Sequence, residues 1–277
     1  MMDGKLITSA HGATYYWMER NENPEAPCIV FTHGIAVNHH AFDKQVPYFA
    51  RDYTVLTWDL PLHGRSRADR EFTYAHAAEA LEAILRREGL TRVILVGVGI
   101  GGYVCQEYAA RHPEQVQAFV GVGVMPFGDP FYSAAEMKQM RRVPLAVQRL
   151  PGRLLHIHLA RARGMSGYGY HNALAMLEQM SRKEIIHVFR EAFADRFSRR
   201  EPVRFACPVL LLVGALDYEG KFAEFCRKWS EQSGYPMHVI PDAAHNANAD
   251  NFDEFNDVAG KFLRRSVVAQ REPHSAG

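Results

Sequence analysis

A carboxylate, an imidazole and a run of glycines are the parts of this sequence whose types and spacing suit chemistry. They are Asp217 in "LLLVGALD" (210–217), His245 in "IPDAAHNANADNFDEFNDVAGKFL" (240–263), and Gly97-Val98-Gly99-Ile100-Gly101-Gly102. An imidazole titrates near neutrality and can take a proton from one group and return it to another, while a carboxylate on its second nitrogen fixes the tautomer. His245 follows an apolar strand pattern by a few residues and precedes a long amphipathic pattern, which suits a functional loop. Asp217 also fits a helix N-cap. The glycine run satisfies G-x-G-x-x-G, in which a helix N-terminus receives a pyrophosphate. It is also one side chain short of G-x-S-x-G, the strand-to-helix elbow that presents a nucleophilic serine.

A dinucleotide site makes two further demands: the turn should follow the first strand of its sheet, and an acidic residue should close the next strand to hold the ribose. Several strand-like runs precede residue 93, and "VGVGVMPF" ends without a carboxylate, with Glu114 too early and Asp129 beyond it. An NAD-dependent oxidoreductase built on Gly97, Gly99 and Gly102 is thus an alternative whose other requirements are unmet, and no cofactor is expected.

The elements that must position these residues are legible from periodicity. Short apolar runs, "CIVF" (28–31), "VLTW" (55–58), "VILV" (93–96), "AFVGVGV" (118–124), "VLLLVG" (209–214) and "MHVI" (237–240), read as buried strands. Helical spacing joins Ala77, Leu81, Ile84 and Leu85 ahead of "VILV", and Phe252, Phe255, Ala259 and Phe262 after "MHVI". Such alternation predicts an α/β fold, a mostly parallel twisted sheet with helices on both faces. "KLITSAHGATYYWMER" reads as an antiparallel pair turned at His11-Gly12. From about 128 to 200 the strand runs stop and helical segments follow one another, which predicts a helical cap inserted in a core of 1–127 and 201–277. The tail "AQREPHSAG" reads as disordered. The cap's centre, Met137 to Leu177, holds Lys138, Arg141, Arg142, Arg149, Arg153, Arg161 and Arg163 and no acidic residue. A solvated helix face is the expected reading, with anion recognition as the alternative. Met137, Met140, Met165, Met176 and Met180 suit core packing, or a pocket beneath the cap.

Four segments together resemble the α/β-hydrolase superfamily, in its capped serine-hydrolase type, over about Thr14 to Leu263. "FTHGIAVNHHAF" (31–42) is similar to the family's His-Gly oxyanion loop, and "WDLPLHGRS" (58–66) to its "DLPGHGRS" turn. "LLLVGALD" resembles the strand that delivers the triad acid, and "IPDAAHNANADNFDEFNDVAGKFL" the segment that carries the histidine. The order nucleophile, acid, histidine matches. The resemblance implies that His245 is general base and acid, that Asp217 orients it, and that backbone N–H groups of Ile35 and Ile100 form the oxyanion hole. Asp129 is an alternative acid. His33 and His63 are expected to be structural. The departure is at the centre, where "GVGIGG" stands for "GVSIGG" and Gly99 occupies the nucleophile position. Glycine tolerates the strained elbow backbone but removes the Oγ that acyl transfer requires. Three readings follow: an inactivated hydrolase of a small ester, lactone or related carbonyl compound; a divergent enzyme in which His245 works without a covalent intermediate; or a non-catalytic protein that binds or senses a small molecule.

Composition bounds the partners. A net charge of +1 with 47% hydrophobic residues offers no global field for nucleic acid or membrane. No uncharged stretch approaches the roughly 20 apolar residues of a membrane helix, and no charged-then-apolar leader opens the chain, so a cytoplasmic location is expected. Cys28, Cys105, Cys207 and Cys226 are far apart and read as reduced core thiols. The fourteen histidines include no metal signature, with His156 and His158 the nearest approach to one. The expected partner is a small-molecule substrate or ligand. Oligomeric state and substrate identity are not encoded in any readable pattern.

Overall fold

In a computed structural model of the chain, residues 2, 4–9, 12–67, 71–217 and 221–268 are described. They form β1 (Gly4–Ser9), β2 (Gly12–Glu19), β3 (Cys28–Thr32), α1 (Val46–Phe49), β4 (Thr54–Trp58), α2 (Tyr74–Glu88), β5 (Val93–Val98), α3 (Ile100–Arg111) and β6 (Val116–Val122). Five helices follow: α4 (Ala134–Met140), α5 (Val143–Arg149), α6 (Gly152–Arg163), α7 (Gly167–Leu177) and α8 (Arg182–Asp195). The chain closes with β7 (Val209–Gly214), α9 (Phe222–Ser233), β8 (Met237–Ile240), α10 (Ala247–Asp250) and α11 (Phe252–Val268). The tail 269–277 lies outside the described residues.

The eight strands make one sheet in the order β1-β2-β4-β3-β5-β6-β7-β8, antiparallel at β1, β2 and β4 and parallel from β4 to β8. This is the α/β architecture that the apolar runs predict. β3, β4, β5 and β7 are buried at every residue, as parallel strands covered on both faces must be. β1 and β2 pair antiparallel up to Ser9↔Gly12, and His11 of the expected turn lies outside the described residues. β6 runs two residues earlier than its apolar run suggested. Gly123 takes φ 54 and donates its N–H to Leu212 O at 2.8 Å, which turns the chain off the sheet.

Helix α2 shows why these segments fold locally as they do. The Thr73 hydroxyl accepts from His76 N at 3.0 Å to cap the start, Gly89 at φ 70 ends it, and Ala77, Leu81, Ile84 and Leu85 form its buried face. In α11 the same spacing buries Phe255 and Ala259 and leaves Phe252 and Phe262 half-buried. Cys28, Cys105 and Cys226 are buried free thiols, pushed up to about 12 by burial, and Cys207 is half-buried.

Because β3 lies between β4 and β5, the strand order reverses beside it, and loops after β3 and β5 part at their carboxyl ends, where open α/β sheets bind ligands. Glycines allow α3 to sit against this edge. A Cβ on Gly97 would lie 2.6 Å from Gly102 Cα, one on Gly101 2.2 Å from Thr32 O, and one on Gly102 2.2 Å from a Val124 methyl. The glycine run is therefore required by packing, independent of any phosphate.

Buried polar side chains lock the neighbouring loops. His33 Nδ1 donates to Gly34 O (2.7 Å) and its Nε2 accepts from Leu60 N (3.0 Å), tying the β3 loop to the β4 loop. Asp59 accepts from His39 N (2.9 Å), His39 Nδ1 (2.8 Å) and Arg65 N (2.7 Å), and Trp17 stacks on the His39 ring at 3.5 Å. His63 Nδ1 donates to Pro61 O at 2.8 Å.

Two predictions concern stability. Gly101→Ala is expected to cost about 3 kcal/mol by overpacking. Gly152→Ala, in a helix position with nothing within 4 Å, is expected to gain about 0.5–1 kcal/mol. Urea unfolding of both variants checks the pair. Burial pulls the His33 imidazole down to about 4 and the His63 imidazole down to about 3, so both stay neutral in the fold. The unfolded chain protonates them below about 6.5. The unfolded state therefore binds more protons as pH falls from about 6.5 to about 4, and stability drops over that window by up to about 1.4 kcal/mol per pH unit for each histidine. Unfolding free energies between pH 7.5 and 4.5 should show this slope, and His63→Asn should make it shallower.

Candidate active site

At the elbow between β5 and α3, Gly99 has φ 52 and ψ −118, a conformation that strains any residue with a Cβ. Its N–H donates to Val122 O (3.0 Å), and Gly102 N donates back to Gly99 O (3.0 Å). A Cβ built on Gly99 lies 3.0 Å from His245 Nε2 and 3.9 Å from Gly34 Cα, so the imidazole faces the elbow directly.

His245 is buried, and its Nδ1 donates to Asp217 Oδ2 at 2.9 Å. The carboxylate can only accept, so Nδ1 carries the proton and Nε2 is the basic nitrogen. Asp217 follows β7, where Asp217 N donates to Gly214 O (3.1 Å) and Leu216 N to Ala243 O (2.9 Å). Two glycines make room for the pair. A Cβ on Gly123 would lie 2.9 Å from His245 Nδ1, and one on Gly214 would lie 2.1 Å from Ala244 O. The Phe222 ring packs on the imidazole at 4.4 Å between centroids.

Asp250 holds the histidine loop from below. Its carboxylate accepts from Ala244 N (2.8 Å), Met165 N (2.9 Å) and Ser166 N (2.8 Å), joining that loop to the turn between α6 and α7. Arg163, at the end of α6, donates through Nη2 to Ile35 O (3.1 Å), while Asn246 N donates to Arg163 O (2.8 Å). These bonds fix the peptide planes of the β3 loop. Ile100 is the first residue of α3, and its N–H has no acceptor within its own helix.

Ile35, Gly99, Ile100 and His245 line one cavity of about 120 Å³. Aromatic and methionine side chains form most of its wall, including Tyr74, Tyr103, Met125, Phe189 and Phe193. Its mostly apolar wall lowers the local dielectric, which strengthens electrostatic interactions inside it. An open groove of about 700 Å³ is lined instead by His158, Arg161, Met165, Tyr170, Leu216 and Ala244.

Gly99, Ile35, Ile100 and His245 thus share one cavity, with Asp217 bonded to the imidazole. Asp129 does not join them: it is exposed on a short 3-10 turn, and the imidazole turns to Asp217. His33 and His63 are absent from the cavity wall and belong to the loop scaffold. Of the seven basic residues between Met137 and Leu177, six are exposed and only Arg163 is buried. His156 gives its Nε2 to Met180 O at 3.0 Å. Met140 reaches the cavity, Met176 and Met180 are core, and Met165 is exposed. Sequence reasoning missed Gly123, Asp250 and Arg196. Arg196 had a readable signal, because it continues the apolar stripe Ile185, Phe189, Ala192 with a charge.

Comparison with known proteins identifies the family. Over 106 residues the chain is 33% identical to a pimeloyl-[acyl-carrier protein] methyl ester esterase of Klebsiella pneumoniae, covering 37% of this chain and 38% of that protein. It is 33% identical over 108 residues to a 1-acylglycerol-3-phosphate O-acyltransferase of Arabidopsis thaliana, covering 37% and 26%. These matches span well under half of either relative. A solved hydrolase from Pseudomonas aeruginosa superposes with a TM-score of 0.79 at 20% identity, over 94% of this chain and 98% of that one. A serine-to-glycine mutant of the N-acyl homoserine lactonase AidH, complexed with N-hexanoyl homoserine lactone, does so with 0.73 at 19% identity, over 96% and 98%. Residues 27–202, from before β3 to beyond α8, match the family described as alpha/beta hydrolase fold, and the chain belongs to that family.

Proposed function

We propose that the cavity holds a small ester, lactone or related carbonyl compound, and that with glycine at the nucleophile position the protein turns it over weakly or not at all. The observation that carries this reading is the alignment of Asp217, His245 Nε2 and the Gly99 elbow, at 2.9 Å and 3.0 Å. The substrate carbonyl oxygen sits against the N–H groups of Ile35 and Ile100, which stabilise the negative charge that develops on it. Helices α4 to α8, within 128–200, act as a cap over a core of 1–127 and 201–277.

Without an Oγ at residue 99 no acyl-enzyme forms there. His245 Nε2 instead takes a proton from a water molecule as its oxygen attacks the carbonyl carbon. The bond to the leaving group then breaks, and Nε2 returns the proton to the departing oxygen. A site of this type lacking one triad member retains about 10³–10⁴-fold catalysis over water. The esterase and lactonase names among the relatives support a carbonyl substrate. The lactone-bound serine-to-glycine mutant of a protein with this fold supports binding with the hydroxyl removed.

Gly99→Ser is the test. It should gain covalent labelling by a fluorophosphonate at residue 99, and at least about a hundredfold in hydrolysis of short activated esters. Gly99→Ala, which carries the same backbone strain of about 1–3 kcal/mol, should lose stability and gain neither. His245→Ala in the Gly99→Ser background should remove the gain. A well-folded Gly99→Ser protein with no labelling and no turnover would sink the reading.

A further inference from the structure

Arg196 follows α8 and reaches the same cavity wall as Gly99 and His245. Only 4% of the residue is exposed. Its Nε donates to the Tyr103 hydroxyl at 2.8 Å, and the guanidinium carbon lies 4.9 Å from the Tyr103 ring centroid and 4.7 Å from that of Tyr132. Among the described residues, its Nη2 is buried with no hydrogen-bond partner. The adjacent carboxylate of Asp195 turns away to accept from Tyr74 N at 2.7 Å.

Aromatic faces offset part of the desolvation of a buried cation, yet they leave the in-plane N–H donors unsatisfied. Burial raises the Tyr74, Tyr103 and Tyr132 hydroxyls above their ordinary range, so none of them supplies a negative charge at neutral pH. A fixed guanidinium at the wall of this cavity, in no ion pair among the described residues, is complementary to a planar anion, and best to a carboxylate.

From this geometry we infer that Arg196 is a specificity-determining residue, which holds a carboxylate on the substrate a few bonds from the carbonyl that faces His245 and the elbow. The substrate class is then a half-ester or related carbonyl derivative of a short dicarboxylic acid. The aromatic walls accept its carbon chain, Arg163 beside them already donating to Leu159 O and Ile35 O, and a neutral diester gives the Arg196 guanidinium no counter-charge. This inference rests on reading the cavity as the substrate site.

Calorimetric binding of monomethyl succinate and dimethyl succinate to the full chain at neutral pH tests it. The half-ester should bind at least about tenfold more tightly, as a charge-assisted hydrogen bond implies. In Arg196→Gln the ratio should fall to about one, and in Arg196→Lys it should be reduced but stay above one; thermal unfolding checks that each variant folds. Equal affinity in the unaltered chain, no half-ester binding, or a preference that survives Arg196→Gln overturns the inference. If Arg196→Gln fails to fold, an undiminished preference in Arg196→Lys overturns it and a reduced one supports it. The Gly99→Ser protein separates the two readings. Hydrolysis of both esters at the same kcat/KM removes the role of Arg196 and leaves the hydrolase reading intact. Selective binding without any turnover in that protein does the reverse.

Discussion

The first turn of α3 lies so close to the ends of β3 and β5 that a Cβ on Gly101 would come within 2.2 Å of the Thr32 carbonyl, and the site depends on that approach. Close packing brings the N-terminus of a helix, with N–H groups its own turns cannot satisfy, to the edge of the sheet where the strand order reverses. It also forces the chain through the left-handed conformation at Gly99. The loop after β3 closes over the opposite side, and the space left between elbow and loop becomes the cavity. A larger residue at 97, 101 or 102 would move α3 outward, and both backbone donors would move with it.

A second level of organisation comes from two buried carboxylates that gather backbone N–H groups, Asp59 holding the His39 imidazole as well. Asp59 gathers the loops after β3 and β4, and Asp250 gathers the histidine loop with the turn between α6 and α7. Each joins segments far apart in sequence through charge-assisted hydrogen bonds, which are strong because water is excluded. Burial alone would raise the pKa of Asp59, and the donors around it, with the His39 bond foremost, hold it below its ordinary value instead. The helices above the sheet are thus attached to the site by directed bonds, at Arg163 and Asp250, as well as by apolar contact.

Much of this was legible in the sequence where a residue's own type carried the signal. Uninterrupted apolar runs gave the parallel strands, because a strand covered on both faces has no polar side. The dinucleotide reading of the glycine run fails in the sequence because its other requirements are unmet elsewhere in the chain. Asp217 and His245 are singled out by the resemblance of their segments to the α/β-hydrolase family. What the sequence could not show depends on contacts between distant segments. Gly123 is one of the two glycines in "VGVGV", and only the arrival of the His245 ring where its Cβ would stand gives it a role. The seven-residue basic cluster reads first as a solvated face, and six of the seven do point to solvent; the seventh, Arg163, lines the cavity together with Arg196, which lies outside the cluster. Clustering along the chain measures local composition. A charge on the apolar stripe of an amphipathic helix is the better pointer to a buried cation.

Gly99 separates two roles that one elbow residue usually combines. The backbone conformation serves the fold, and glycine adopts it without the strain a serine would bear. The imidazole is held elsewhere, by Asp217, by the Phe222 ring, by the room left at Gly123, and by Asp250 beneath its loop. None of those contacts involves a side chain at residue 99. The dyad therefore keeps its place without a nucleophile to hold it. A Cβ at that position would meet only the far edge of the His245 ring, at 3.0 Å, which a shift of a few tenths of an ångström relieves. The position of the imidazole and the side chain at residue 99 are thus specified by different residues, and a change at one leaves the other in place.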